Sequence, residues 1–347
     1  MKSKNLSEKI LRSVKSRGFK YIELPSVIEA NHIVQRSGEN FRKFMFSFTD
    51  INGKELCLRP DLTIASCLRY LEGNFKGKEK IFYSGQAYRK VESKRDKIIR
   101  NQVGFEILGS KDEKNDDKEI INTSIKILQD LKFSSGTLTI GNIEIFNLLI
   151  SKLDIPKRWK LRLSRHFWRE EYFNDLLKRL ETNADIDPTI VEIDKKRYLD
   201  LLNKNPETMI AGRSVGEILK RFDTKIKDPR QAKRGNKVSK IIKSFLKISC
   251  PINKAAMELN KFFKKNKINL VVDQRYFPIS SNKLSKLNVK FSTSFGRHLE
   301  YYSGMVFKID VKSKSTTIKC AGGRYDRLIS DLGSKKQVPA VGAAFNL

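Results

Sequence analysis

Ile81-Phe82-Tyr83-Ser84-Gly85-Gln86-Ala87-Tyr88-Arg89 and Asn101-Gln102-Val103-Gly104-Phe105-Glu106-Ile107-Leu108-Gly109 are two apolar-rich runs joined by a charged stretch, Lys90 to Arg100. Their length and boundaries predict two strands connected by a loop. Upstream, residues 43–48 and 54–58 flank the turn signal Asp50-Ile51-Asn52-Gly53, which predicts a β-hairpin. Residues 6–17 carry apolar positions at helical spacing and stop at Gly18, and residues 62–72 and 118–131 read as further helices. Residues 19–30 (FKYIELPSVIEA) read as extended chain interrupted by Pro25, and 137–141 as another strand. Strands are expected again at 268–272, 301–309 and 316–320, with a last helix at 324–332. Between them, residues 155–250 are helical, lysine-rich and loop-broken, a candidate insertion. Hairpins and helices without βαβ regularity predict an α+β fold, an antiparallel sheet flanked by helices, as one domain over 1–347.

Composition fits a folded globule: 39% of the 347 residues are hydrophobic and 21 are Phe. No apolar run approaches the roughly 18 to 20 residues of a membrane span, and the first residues lack the apolar core of a signal peptide, so a cytoplasmic protein is expected. The four cysteines (Cys57, Cys67, Cys250, Cys320) and three histidines (His32, His166, His298) share no metal-ligand spacing. Neither a metal, a disulfide framework nor a cofactor is expected. A formal net charge of +31 raises nucleic acid as a partner, because clustered Lys and Arg release counterions from phosphates. Here the basic residues run from Lys2 to Lys336, mostly as Lys among Asn and Ile. That spread favours a general lysine bias, acting on solubility and loose association, over a dedicated groove.

Three segments are dense in chemistry-bearing residues. Arg59-Pro60-Asp61-Leu62-Thr63 places a cation, a carboxylate and a hydroxyl at a strand-to-helix junction, where side chains and free N–H groups face a ligand. Asp61 equally suits the plain role of capping the helix that follows. In the returning strand Gln102, Gly104 and Glu106 share one face, since side chains alternate with period two. An amide and a carboxylate so aligned, with room left by Gly104, suit an ammonium or imidazole donor, although an edge strand also exposes polar residues for solvation alone. The third segment is Phe295-Gly296-Arg297-His298-Leu299-Glu300-Tyr301-Tyr302-Ser303-Gly304-Met305-Val306-Phe307, followed by Ala321-Gly322-Gly323-Arg324-Tyr325-Asp326. An Arg fork holds a carboxylate bidentately, paired tyrosines wall a flat polar ring, and paired glycines permit close backbone approach.

Arg297 to Phe307 and Ala321 to Asp326 are similar to the two histidine-recognition signatures of histidyl-tRNA synthetases. Tyr88-Arg89 to Gly109 resembles the class II motif 2 of those enzymes, and FKYIELPSV around Pro25 resembles a degenerate motif 1, their dimer-forming element. The resemblance implies a class II aminoacyl-tRNA synthetase-like core with a helical insertion. It places Asp61, Gln102, Glu106, Arg297, Tyr301 and Tyr302 where the family contacts histidine, and Arg89 where the synthetases hold the ATP α-phosphate, an anion-binding position.

The departures point to a particular branch. Asp61 stands where the synthetases carry glutamate, and the motif 2 loop, Ser93-Lys94-Arg95-Asp96-Lys97, is short. The Pro339-Ala340-Val341-Gly342 strand that precedes the motif 3 arginine is present, but neither that arginine nor an anticodon-binding domain is found in the 347 residues. Loss of a clamp on developing phosphate charge removes several kcal/mol of transition-state stabilisation, so aminoacylation is not expected. The sequence is therefore similar to the regulatory subunits of ATP phosphoribosyltransferase, paralogues of the synthetases. That resemblance implies no catalytic residues of its own, a catalytic-subunit partner, L-histidine as ligand, a homodimer within a larger hetero-oligomer, and a part in feedback control of histidine biosynthesis. Binding of tRNA is expected to be weak. The alternatives are an RNA-binding synthetase relic and a synthetase fragment.

Overall fold

The structure, a computed structural model, describes residues 2–37, 39–73, 77–91, 97–133, 135–182, 188–210, 212–226, 232–281, 283–284, 286–296, 301–312 and 317–347. In chain order the elements of the first part are α1 (Lys2–Lys15), β1 (Lys20–Tyr21), β2 (Val27–Glu29), α2 (Ala30–Ser37), β3 (Ser47–Thr49), β4 (Glu55–Leu58), α3 (Leu62–Glu72), β5 (Glu79–Tyr88), β6 (Ile99–Leu108), α4 (Glu113–Asp130) and β7 (Gly136–Asn142). The helical middle follows: α5 (Ile143–Lys152), α6 (Lys157–Arg165), α7 (Glu170–Thr182), α8 (Pro188–Leu202), the short pair β8 (Met209–Ile210) and β9 (Arg213–Ser214), α9 (Val215–Ile226) and α10 (Ala232–Phe245). The chain closes with β10 (Ser249–Pro251), α11 (Ala255–Lys265), β11 (Lys283–Leu284), β12 (Leu287–Ser292), β13 (Met305–Lys312), β14 (Thr317–Arg324), α12 (Leu328–Asp331) and β15 (Ala340–Asn346).

Two units result, one of Met1–Glu144, Ser249–Glu258 and Val272–Leu347, the other of Ile145–Ile248 and Leu259–Val271. The first is built on a large sheet in the order β1-β5-β6-β15-β14-β13-β7-β12-β10, with β11 beside β12. Most neighbours are antiparallel, as expected, but β1 runs parallel to β5 and β12 parallel to β7. On β6, Val103, Phe105 and Ile107 are buried on one face, where Phe105 meets Phe19 and Phe345 and where α1 and α4 pack. The opposite face of β5 and β6 receives α3, itself packed on α12. Because both faces are covered, even the polar Glu106 is buried. A separate small sheet, β2-β4-β3, contains the expected hairpin, with Gly53 at φ +79° and Asp50 Oδ1 accepting from the N–H groups of Asn52 and Lys54.

The second unit is helical. Phe146 lies 3.8 Å from Phe167 and within ring contact of Phe173 and Phe245, and Phe245 in turn meets Phe262 and Phe263. No helix among the described residues is long and apolar enough to cross a membrane.

Four boundaries differ from expectation for identifiable reasons. Helix α4 begins at Glu113 rather than 118, because Asp112 caps it and Glu113 and Asp116 complement its N-terminal dipole. The apolar run 268–272 forms no strand; the Leu270 N–H bonds back to the Ile268 carbonyl and Val271 is exposed. Residues 301–304 are irregular and β13 starts at Met305. At the other end β14 runs to Arg324, which shortens the expected last helix to Leu328–Asp331.

Candidate ligand-binding cavity

Asp61 takes the capping role foreseen for it: its Oδ1 accepts the Ile64 N–H at 3.0 Å and opens helix α3. Its Oδ2 remains turned to Arg89, 3.8 Å away. Arg89 also donates to the Pro60 carbonyl and lies over the Phe41 ring. The other cation of this segment, Arg59, points elsewhere. It is 5% exposed and donates to the carbonyls of Leu24, Pro25 and Gln86, so it braces the chain instead of facing a ligand.

Glu106 sits deepest, 1% exposed. Tyr83 and Thr63 donate to its Oε1 at 2.5 and 3.2 Å, and Tyr325 donates to its Oε2 at 2.6 Å. Burial pushes its carboxyl up to about 7, although the Tyr325 and Tyr83 hydroxyls pull the other way. The room anticipated at Gly104 is taken by Tyr83: the two residues are paired across β5 and β6, and a Cβ at 104 would collide with the tyrosine ring. Gly342, opposite Glu106 on β15, is required in the same way, since a Cβ there would strike the carboxylate.

Gln102, four positions before Glu106 on β6, donates through its amide to Asn346 Oδ1 at 2.7 Å. Its carbonyl oxygen is thereby the end that suits an ammonium. Tyr301 and Tyr302 are partly buried with ring centroids 4.8 Å apart, and Tyr301 also meets Tyr325. Burial first, and Asp61 second, raises both phenols, so they stay protonated donors. Together Asp61, Arg89, Gln102, Glu106, Tyr301 and Tyr302 line one cavity of about 280 Å³. Its floor is backbone and methyl groups of Ala321, Gly322, Gly342, Ala343 and Ala344.

A profile described as Histidyl-tRNA synthetase matches residues 1–347. The chain belongs to the histidyl-tRNA synthetase family. Within that family it is similar to proteins named ATP phosphoribosyltransferase regulatory subunit. It is 27% identical over 350 aligned positions to the one from Agrobacterium fabrum, covering 96% of this chain and 92% of that protein. It is 28% identical to the one from Allorhizobium ampelinum, covering 96% and 93%. Among solved structures, an ATP phosphoribosyltransferase regulatory subunit/histidyl-tRNA synthetase from Bacillus halodurans shares the fold with a TM-score of 0.57 at 21% identity, over 99% of this chain and 76% of that one. A histidyl-tRNA synthetase from a Nostoc species has a TM-score of 0.56 at 15% identity, over 98% and 68%.

For this synthetase-family fold the second glycine-rich signature is mostly framework. Arg324, 4% exposed, donates to Asp117 Oδ1 at 2.7 and 2.9 Å, to Asp326 at 2.9 Å and to the Glu113 carbonyl. Asp326 accepts the Ala340 N–H, and Ser303 bonds to Asp326 and to the Arg324 carbonyl. The loop carrying the paired tyrosines is thus anchored to α4 and β15. Burial pushes Asp117 up to about 6 against the pull of Arg324. Arg297 lies outside the described residues, as do the motif 2 loop residues 92–96. Sequence alone does not single out Tyr83 and Asn346; their signal is a strand register that sequence does not carry.

Proposed function

We infer that this chain is a non-catalytic regulatory subunit of ATP phosphoribosyltransferase that activates the short-form catalytic subunit and helps confer histidine feedback inhibition in the first step of histidine biosynthesis. The cavity is its L-histidine pocket. The observation that carries this reading is the convergence of Asp61, Gln102, Glu106, Tyr301 and Tyr302 on one space, in a chain similar over nearly its whole length to proteins bearing that name. In this reading the Asp61 carboxylate and the Gln102 carbonyl meet the α-ammonium. Glu106 and one tyrosine meet the imidazole, and Arg297 pairs with the carboxylate. Arg89 and Arg100, both at the cavity, leave it suited to an anion as well. The subunit is a homodimer within a larger hetero-oligomer, paired through the segment around Pro25.

The test is reconstitution. Purified with a short-form catalytic subunit, the chain should raise phosphoribosyl transfer and make it histidine-sensitive, while the chain alone gives neither phosphoribosyl transfer nor histidine-dependent ATP–pyrophosphate exchange. Exchange activity from the chain alone would restore the synthetase reading.

A further inference from the structure

Among the described residues Glu106 is the one carboxylate at the cavity that is fully enclosed, and its hydrogen-bond capacity is already largely spent. A carboxylate offers about four lone-pair positions, two on each oxygen. Among the described residues, Oε1 receives Tyr83 and Thr63, and Oε2 receives Tyr325 alone. One acceptor position is therefore left, on Oε2.

Tyr83 is what makes the two oxygens unequal. It is fully buried, crosses β6 over Gly104, and reaches Glu106 by its hydroxyl from the strand alongside. It does not line the cavity, so a ligand does not meet it. Its own proton is secure, because burial and the neighbouring Glu106 charge raise the phenol far above its usual range. We propose that Tyr83 is a positioning residue: its hydroxyl locks Oε1 of Glu106 inward and leaves Oε2 as a single acceptor for a neutral heteroaromatic ring presenting one N–H. This rests on the reading of the cavity as the histidine pocket, and it adds a residue and a selection rule to that reading.

Among the described residues, the groups facing Glu106 are Asp61 and Thr63 at the start of α3, Cys67 within it, Tyr83 on β5, Tyr301 and Tyr302 in the loop before β13, and Tyr325 after β14, with the cations Arg89 and Arg100 elsewhere on the cavity lining. Of the groups that shift its titration the hydroxyl donors are the ones that pull the carboxyl down, against the larger effect of burial. Removing the Tyr83 donor should raise the pH at which Glu106 becomes an acceptor, and free Oε1 to turn.

Tyr83→Phe keeps the ring over Gly104, and Thr63→Val removes the second donor to the same oxygen at nearly constant volume. The measurements are the carboxyl ¹³C titration of Glu106 in the empty protein, assigned with Glu106→Gln, and calorimetric binding of histidine and of 3-(2-thienyl)alanine, which lacks the ring N–H. In both variants the Glu106 titration should move to higher pH. In Tyr83→Phe histidine affinity at pH 7 should fall roughly 5- to 50-fold, and the preference over the thienyl analogue should shrink. A folded Tyr83→Phe protein whose Glu106 titrates where the wild type does, or whose preference is intact, overturns the proposal. If the titration moves but the wild type binds no histidine, the role of Tyr83 stands and the histidine pocket reading fails.

Discussion

A single buried carboxylate shows how a residue proposed to bind a ligand acts against stability at its own position. Glu106 has a carboxyl raised to about 7 by burial, so the folded state holds a proton that the unfolded chain releases near pH 4.5. The sign follows: its contribution is fully present below about pH 4.5 and is lost as pH rises through about 7, so at pH 8 the ionised side chain costs about 3 kcal/mol. Glu106→Gln should therefore raise the thermal midpoint relative to wild type more at pH 8 than at pH 5; equal shifts at both would mean that Glu106 ionises normally. The same substitution should weaken histidine and blunt discrimination against ring isosteres without the donor. Arg297→Ala should weaken histidine by roughly 2 to 5 kcal/mol through loss of a charge-assisted pair. Calorimetric titration of that variant, alone and with the catalytic subunit, decides it: unchanged affinity would place regulatory histidine elsewhere, such as a subunit interface.

At the scale of elements, what sequence disclosed and what it withheld divide along the range of the interaction. Helix α3 matches its expected bounds, 62–72, because its start is written locally in Asp61 and its end in Gly73. Gln102 and Glu106 share a face because period two is local as well. Tyr83 comes to lie behind Glu106, and Asn346 at the cavity, through pairings of Tyr83 with Gly104 and of Asn346 with Gln102, and those registers join residues up to 244 positions apart. The run 268–272 errs in the opposite sense: its β-propensity is real, yet a strand forms only with a partner, and this segment bonds to itself. Arg59 shows the same limit, since three carbonyls from two distant segments bind a side chain that local reading turns toward a ligand. Arg59→Ala should accordingly destabilise the fold by about 3 kcal/mol or more, leaving buried carbonyls unpaired. Thermal or denaturant unfolding measures it, and a near-neutral result would show that the bracing is dispensable.

For the whole molecule the open quantity is the +31 charge. A general lysine bias adds cations without removing acids, but residues 230–257 contain eight Lys or Arg and no Asp or Glu. Within that span α10 buries Val238, Ile241, Ile242 and Phe245 and exposes Lys233, Lys237 and Lys240, which recur at helical spacing, and Lys247 is exposed in the turn that follows. Lys243 is drawn off to Glu181 and Arg234 to Asp154, so those two are partly neutralised. The charge is thus concentrated more than its spread along the chain implies. The exposed face offers lysine stems and no aromatic ring, which suits contact with phosphates but not reading of bases. Binding to duplex nucleic acid should be sequence-independent and fall steeply with salt, each lysine engaged adding about 0.9 to the slope of log affinity against log salt. The triple change Lys233→Glu, Lys237→Glu, Lys240→Glu should then lower that slope by about 2 to 3 while leaving histidine titration as in the wild type. Fluorescence anisotropy with a labelled duplex between low and physiological salt gives the slope directly. A slope that does not move would return the charge to a general lysine bias, and tight sequence-specific binding that survives physiological salt would favour the RNA-binding reading of the chain.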